Sequence, residues 1–275
     1  MEMMFLILKN QTLVHIIETK RVLVHELYNF LYSFDKYLIN YLKITMKKIT
    51  LLLAILFSIS LTSQELYWYD VIVEVEGEDN VEFEKAVDKF YSSVDFPEDV
   101  TMTFSAIPLK GKGYEETHIL SFVSPSSESL ANLRSSLSGK KWENYLEVVR
   151  PFVDGVRASA GNAMMVFKPE EFHGIGQVWA FKIKSKDIPA FSGAFSKLME
   201  TFDFPGFVGL AQVTHGISNG ENILIYGTFE NLNSAFTFGP KNDAESNAFA
   251  EFFNVTADIS EFTQSWTRVK INDYN

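Results

Sequence analysis

The sequence predicts an α+β protein made of two copies of one βαββαβ unit. Three observations carry this. Residues 83–100, FEKAVDKFYSSVDFPEDV, align without a gap on residues 191–208, FSGAFSKLMETFDFPGFV, and 7 of the 18 positions are identical, including Asp95-Phe96-Pro97 against Asp203-Phe204-Pro205. Around both anchors, stretches of period-two alternation and of helical spacing follow one another in the same order. A proline- and glycine-bearing segment, 169–176, divides the copies.

In the first copy, Tyr69, Val71, Val73 and Val75 alternate with Asp70, Ile72 and Glu74, the period of a strand. Phe83, Val87, Phe90 and Val94 then recur at helical spacing. Asp95-Phe96-Pro97 ends that helix, because proline disfavours helical backbone in its predecessor. Residues 101–109 and 117–123 are strands joined by the turn Lys110-Gly111-Lys112-Gly113. Ser124-Pro125 is an N-cap with proline in the first turn, and Leu130, Leu133 and Leu137 face inward from the helix it opens. Trp142, Tyr145, Val149 and Val153 mark a further helical piece bent at Pro151, and 159–167 closes the unit as a strand.

The second copy opens on a strand marked by Trp179, Phe181 and Ile183. Phe191, Phe195, Leu198 and Phe202 take the helical positions of Phe83, Val87, Phe90 and Val94. Residues 208–217 and 221–228 are strands joined through Asn219-Gly220, a two-residue hairpin signal. Helical pieces follow near 232–236, 243–253 and 258–264, and 266–271 is the last strand. Most of the 25 phenylalanines fall at core spacing on helix faces.

Upstream, Met46 opens a second N-terminus. Lys47 and Lys48 are followed by the apolar run ITLLLAILFSISL (49–61) and by small residues before Gln64. This is the layout of a secretory signal peptide, and the run falls short of the about 20 residues that a membrane span needs. Residues 46–63 are therefore read as a signal peptide, cleaved after Ser63 with Ser60 as the alternative. Residues 1–45 are read as a start-site artefact, against the alternative of a cytoplasmic helical extension and membrane anchor. The expected destination is the periplasm or the exterior. Repeat 1 then spans 64–168, the linker 169–176 and repeat 2 177–275.

Residues 64–275 keep 31 of the 35 acidic and 17 of the 24 basic residues, a net charge of −14. Such a surface repels phosphate backbones and offers no basic face to anionic lipid, which argues against nucleic-acid and membrane-surface partners. The densest acidic run, 74–84, lacks the residue order of a calcium loop and reads as solvated surface. There is no cysteine, so thiol catalysis, thiolate metal sites and disulfides are excluded, and the core alone must hold an exported fold.

The βαββαβ order is that of the ferredoxin-like unit, which covers one sheet face with helices and leaves the other to be buried. Two such units can pack sheet to sheet as a pseudo-two-fold α+β barrel. In repeat order and spacing across 66–271, the chain resembles the dimeric α+β barrel superfamily in its fused, two-repeat form. The resemblance implies that barrel and, as activities to consider, those of cofactor-free monooxygenases, small-molecule isomerases and decarboxylases, and haem enzymes of the chlorite dismutase and dye-decolourising peroxidase type. No haem-ligand motif is matched, and no cofactor is expected.

Histidines 118, 173 and 215 are those within 64–275. With Asn219-Gly220 as the turn, His215 opposes Leu224, and Val213, His215, Asn222, Leu224 and Tyr226 share one face. Aligning THILSF (117–122) on ENILIY (221–226) sets His118 against Asn222 and Phe122 against Tyr226. If that face lines the barrel, His215 or His118 could act as a general base and Tyr226 or Asn222 could orient a substrate oxygen, with Phe122, Trp179 and Trp68 as walls. The plainer expectation is that these histidines and Asn222, close to turns, are simply exposed. Glu170, Glu171 and His173 are too few and too local for a metal site, and none is expected.

The functional expectation is an exported small-ligand-binding protein taking an apolar or aromatic molecule. The alternatives are a cofactor-independent oxygenase or isomerase, and a protein-interaction module with self-association open.

Overall fold

The structure is a computed structural model that describes residues 65–275. The expectations for residues 1–45 and 46–63 lie outside the described residues. Repeat 1 runs β1 (Tyr67–Val75), α1 (Asn80–Tyr91), β2 (Thr101–Lys110), β3 (His118–Ser124), α2 (Ser127–Ser136), α3 (Gly139–Val149) and β4 (Val153–Phe167). Repeat 2 runs β5 (Ile175–Ile183), α4 (Ile188–Thr201), β6 (Val208–His215), β7 (Ile223–Phe229), α5 (Leu232–Phe236), α6 (Asp243–Thr256) and β8 (Ser260–Tyr274).

The strands close a single antiparallel barrel in the order β1-β3-β2-β8-β5-β7-β6-β4. Each repeat supplies a contiguous half, and the halves join where β2 pairs β8 and β6 pairs β4. Closure leaves neither half with an unpaired edge. It also explains why β4 and β8 are 15 residues each. The stretch of β4 from Val153 to Asn162 pairs with β1, whereas Ala160 to Phe167 pairs with β6. Likewise β8 pairs with β5 over Ser260 to Val269 and with β2 over Trp266 to Tyr274. This corrects two expectations: 258–264 is not helical but mostly the start of β8, and β4 begins at Val153, well before residue 159.

Alternation then sorts side chains. The outward faces meet helices in two aromatic cores. One gathers Phe83, Val87, Phe104, Phe122 and Leu133; the other gathers Phe191, Phe195, Phe204, Phe229 and Phe252. Burying a side chain of this size contributes up to about 3 kcal/mol, which suits a fold without disulfides. The proline of Asp203-Phe204-Pro205 stops α4 and turns Phe204 onto the outer face of the sheet, where it packs on Phe229 at 5.2 Å.

Two registers differ from expectation. The β6–β7 connection is not a two-residue turn: Gln212 opposes Ile223, and the segment between is a longer loop. Gly216 and Gly220 adopt positive φ there, and the Glu221 carboxylate accepts from the Asn219 N–H at 2.7 Å, so a side chain closes the turn. Second, Val73 opposes His118 while Phe181 opposes Ile223. His118 therefore corresponds to Ile223, and Phe122 to Gly227. The expected alignment of 117–122 on 221–226 is off by one residue, and a one-residue slip exchanges the two faces of a strand.

Gly227 shows the cost of that position. A Cβ there would run into the Phe204 ring. Gly227→Ala should destabilise the protein by about 1–3 kcal/mol in chemical denaturation. Combined with Phe204→Leu, the loss should be less than additive, because the smaller side chain vacates the same space.

Candidate functional site

The barrel interior is filled at one end and hollow at the other. Where the β2–β3 and β6–β7 connections lie, Ile72, Ile107, Tyr114, Ile119, Val178 and Trp266 pack together. Arg157 seals this floor: it pairs with Glu116, donates to the Tyr114 hydroxyl at 2.8 Å and to Ser218 at 3.2 Å, and approaches Glu221 at 3.8 Å. Above the floor is a cavity of about 510 Å³. Its walls are mostly apolar, among them Trp68, Val123, Phe207, Leu224 and Trp266. The linker crosses its mouth. The Phe207 N–H donates to the Glu171 carbonyl at 2.7 Å, the Lys270 N–H to the Gly174 carbonyl at 2.8 Å, and Lys168 to Asp203 at 2.6 Å. Phe172 of the linker leans on Phe207 and Tyr226, with ring centroids 5.3 and 6.0 Å away.

A small polar group lines this cavity: Asp70, Ser121, Tyr226 and Arg268. Asp70 and Ser121 face each other across β1 and β3. The Arg268 Nη1 donates to Ser121 Oγ at 2.6 Å, while its Nε and Nη2 donate to the Tyr226 hydroxyl at 3.1 and 2.7 Å. The guanidinium also lies 4.7 Å from the Tyr226 ring centroid, within cation–π range. Nearer the mouth, Asp273 accepts from Thr103 at 2.8 Å and from Lys270 at 2.6 Å.

The pseudo-two-fold is broken inside the cavity. Trp68 of β1 faces Gly161 of β4, and Gly176 of β5 faces Arg268 of β8. A Cβ on Gly161 would come within 2.9 Å of the Trp68 ring. On Gly176 it would lie 2.5 Å from the Tyr226 hydroxyl and 2.9 Å from Arg268 Nε. Each large side chain thus lies over a glycine, on opposite strands of the two halves. The result is a single polar pole, on the repeat 2 side, facing Asp70 and Ser121.

Of the residues singled out in the sequence, Tyr226 and Trp68 line the cavity. His118 does not: it is buried on the outer face between Phe83 and Phe104, 3.2 Å from Glu84, and burial lowers its pKa although Glu84 pulls it up. Phe122 is on that same outer face, stacked on Tyr69 at 4.3 Å. Trp179 likewise points outward, to Phe238 at 5.4 Å. His215 is exposed at the end of β6, beside Thr214 at 3.0 Å. Asn222 bonds both ways to the Ile183 backbone, at 2.9 and 2.8 Å, and ties β7 to β5. His215, His118, Asn222 and Tyr226 are therefore not brought together.

Asp70, Ser121, Gly176 and Arg268 were not singled out from the sequence. The signal was a charged residue inside an otherwise apolar period-two run: Asp70 between Trp68 and Ile72, and Arg268 two residues after Trp266. In a solvated sheet this marks the wet face; in a closed barrel it marks the lumen.

Asp70 is enclosed by the barrel, with its remaining surface on the cavity. Burial pushes its carboxyl up to about 6, against the opposing pull of the Ser121 hydroxyl, Arg268 and Arg157. Burial also raises the Tyr226 phenol, which Arg268 pulls back down. For Asp70 the folded state holds its proton more tightly than the unfolded chain does. Its contribution to stability is full below about pH 4 and is lost as pH rises through about 6. Asp70→Asn should therefore be more stable than wild type above pH 6, by at most about 3 kcal/mol, and should match it near pH 4. Urea denaturation across that range checks this; an advantage that does not vary with pH would count against it.

No protein-family model matches the chain, and no curated protein matches it by sequence. Solved structures do. Two carry the name "putative monooxygenase". The one from Fusobacterium nucleatum has a TM-score of 0.54 and 11% identity, over 77% of this chain and 94% of that one. The one from Lactobacillus acidophilus has a TM-score of 0.54 and 12% identity, over 76% and 96%. An anthrone oxidase-like protein matches with a TM-score of 0.52 and 10% identity, over 77% and 93%. At such identities the likeness speaks for the fold alone: the chain has the dimeric α+β barrel fold, in its fused two-repeat form.

Proposed function

We propose that the protein is an exported binding protein whose barrel holds one small, flat, largely apolar molecule. The observation that carries this reading is the cavity of about 510 Å³: apolar and aromatic walls with a few convergent polar groups, the usual make-up of a small-molecule site. Export rests on the pattern of residues 46–63. Among the described residues no helix is long and apolar enough to cross a membrane.

Native mass spectrometry of the purified protein tests the reading. A small-molecule adduct of one per chain, lost on unfolding, is expected. Ala211 lines the cavity, so Ala211→Trp should remove the adduct while circular dichroism stays native. An adduct that survives that substitution would place binding elsewhere.

A second reading, a cofactor-independent oxygenase or isomerase, is favoured by one feature. Asp70, poised near neutrality on the cavity wall, suits a general base for an acidic C–H or O–H. The two similar structures named as monooxygenases agree with it at the level of fold. Here Asp70→Asn should abolish turnover of a cavity-bound substrate but not its binding. Loss of both together would count against a base at Asp70.

A further inference from the structure

Arg268 is 6% exposed, yet among the described residues it forms no ion pair. A buried cation without a counter-ion is costly, and proteins pair such groups or place them to receive a charge. A guanidinium carries five N–H groups. Three are engaged, two on the Tyr226 hydroxyl and one on Ser121, which leaves one on Nη1 and one on Nη2. The Tyr226 hydroxyl accepts twice, and its own proton has no acceptor among the described residues. Across the cavity on β1, the Trp68 indole N–H is sealed from solvent and also lacks an acceptor. The site thus has donors to spare and a positive charge to balance. What the guanidinium lacks is a negatively charged oxygen acceptor in direct contact, because Asp70 on the same cavity makes no bond to it.

Resting on the cavity as a ligand site, we propose that its ligand is a flat apolar monoanion, one per chain, whose carboxylate or comparable conjugated oxygen anion is held by Arg268 and Tyr226. The apolar body lies between Trp68, Phe172, Phe207 and Leu224, which line the same space. One charge fits better than several. Glu170 and Asp273 stand at the mouth and would repel a polyanion such as a phosphate ester, and the protein as a whole is acidic. The duplicated fold does not make two sites, because the position of Arg268 in repeat 1 is Gly161, covered by Trp68. Asp70 is the internal competitor for the guanidinium charge, which it attracts through the field without a direct bond.

Isothermal titration calorimetry with 2-naphthoate and its neutral isostere 2-naphthamide, at about pH 7, tests this. A hydrogen-bonded charge pair predicts that naphthoate binds one per chain, roughly tenfold or more tighter than the amide. Arg268→Gln should erase that preference by weakening the naphthoate far more than the amide. Tyr226→Phe, which keeps the ring and removes only the hydroxyl, should narrow it. Asp70→Asn should widen it by removing the competing charge. Equal affinity for the two probes, or a preference that survives in both the Arg268 and Tyr226 variants, overturns the anion assignment while the cavity stands as a neutral-ligand site. Two naphthoates per chain overturn the single site. Binding of neither probe overturns this inference and the binding reading together.

Discussion

The hydrogen-bonded junctions between the two repeats, β2 with β8 and β4 with β6, are what the rest of the structure depends on. A ferredoxin-like half has helices on one sheet face only. Left alone, its second face would give apolar side chains such as Ile72, Ile107 and Ile119 to water. Two overlong strands prevent this. Each leaves its own half after about half its length and becomes an edge partner of the other. Once they do, both sheets are two-sided, every strand has two neighbours, and an interior exists. Which side chains enter it follows from strand parity.

That interior is not symmetric, although the chain is duplicated. The closed barrel has room for one large side chain where β1 meets β4 and one where β5 meets β8. The first half places tryptophan on the opening strand and glycine on the closing one; the second half reverses this with Gly176 and Arg268. The exchange keeps the packing sound while it concentrates positive charge and hydrogen-bond donors at one pole. A duplicated scaffold thereby acquires a single polar pole. Gly227 and Phe122 show the same compensation on the outer face, where Phe204 takes up the space that a side chain at residue 227 would need.

The polar pole is strained electrostatically rather than geometrically. Asp70 and Arg268 attract each other without a direct ion pair, and burial leaves the carboxylate costly to ionise. Ser121 stands between these demands, bonded to Arg268 and set opposite Asp70. Structural ion pairs in cores generally close up with every lone pair satisfied. Asp70 and Arg268 instead stay apart on a cavity with apolar walls, the arrangement expected where charge is held in readiness for a ligand.

The sequence by itself determined the unit, its duplication, the alternation of strand and helix, and the core faces of the main helices. These are local properties: hydrophobic period, proline stops and turn residues act over a few positions, so Phe83, Val87 and Phe90 could be assigned to one face before any partner was known. The site was only partly legible. Tyr226 and Trp68 were identified, but His118, Phe122 and Trp179 were set on the wrong side of the wall. A period-two pattern says which residues share a face, not which face is the lumen, and here both faces are apolar. The tertiary structure decided that, through the pairing of Val73 with His118 and of Phe181 with Ile223, a register that a one-residue slip inverts. It also decided that Asp70 and Arg268, 198 positions apart in the chain, belong to one pole, because only barrel closure brings β1 and β8 around the same space.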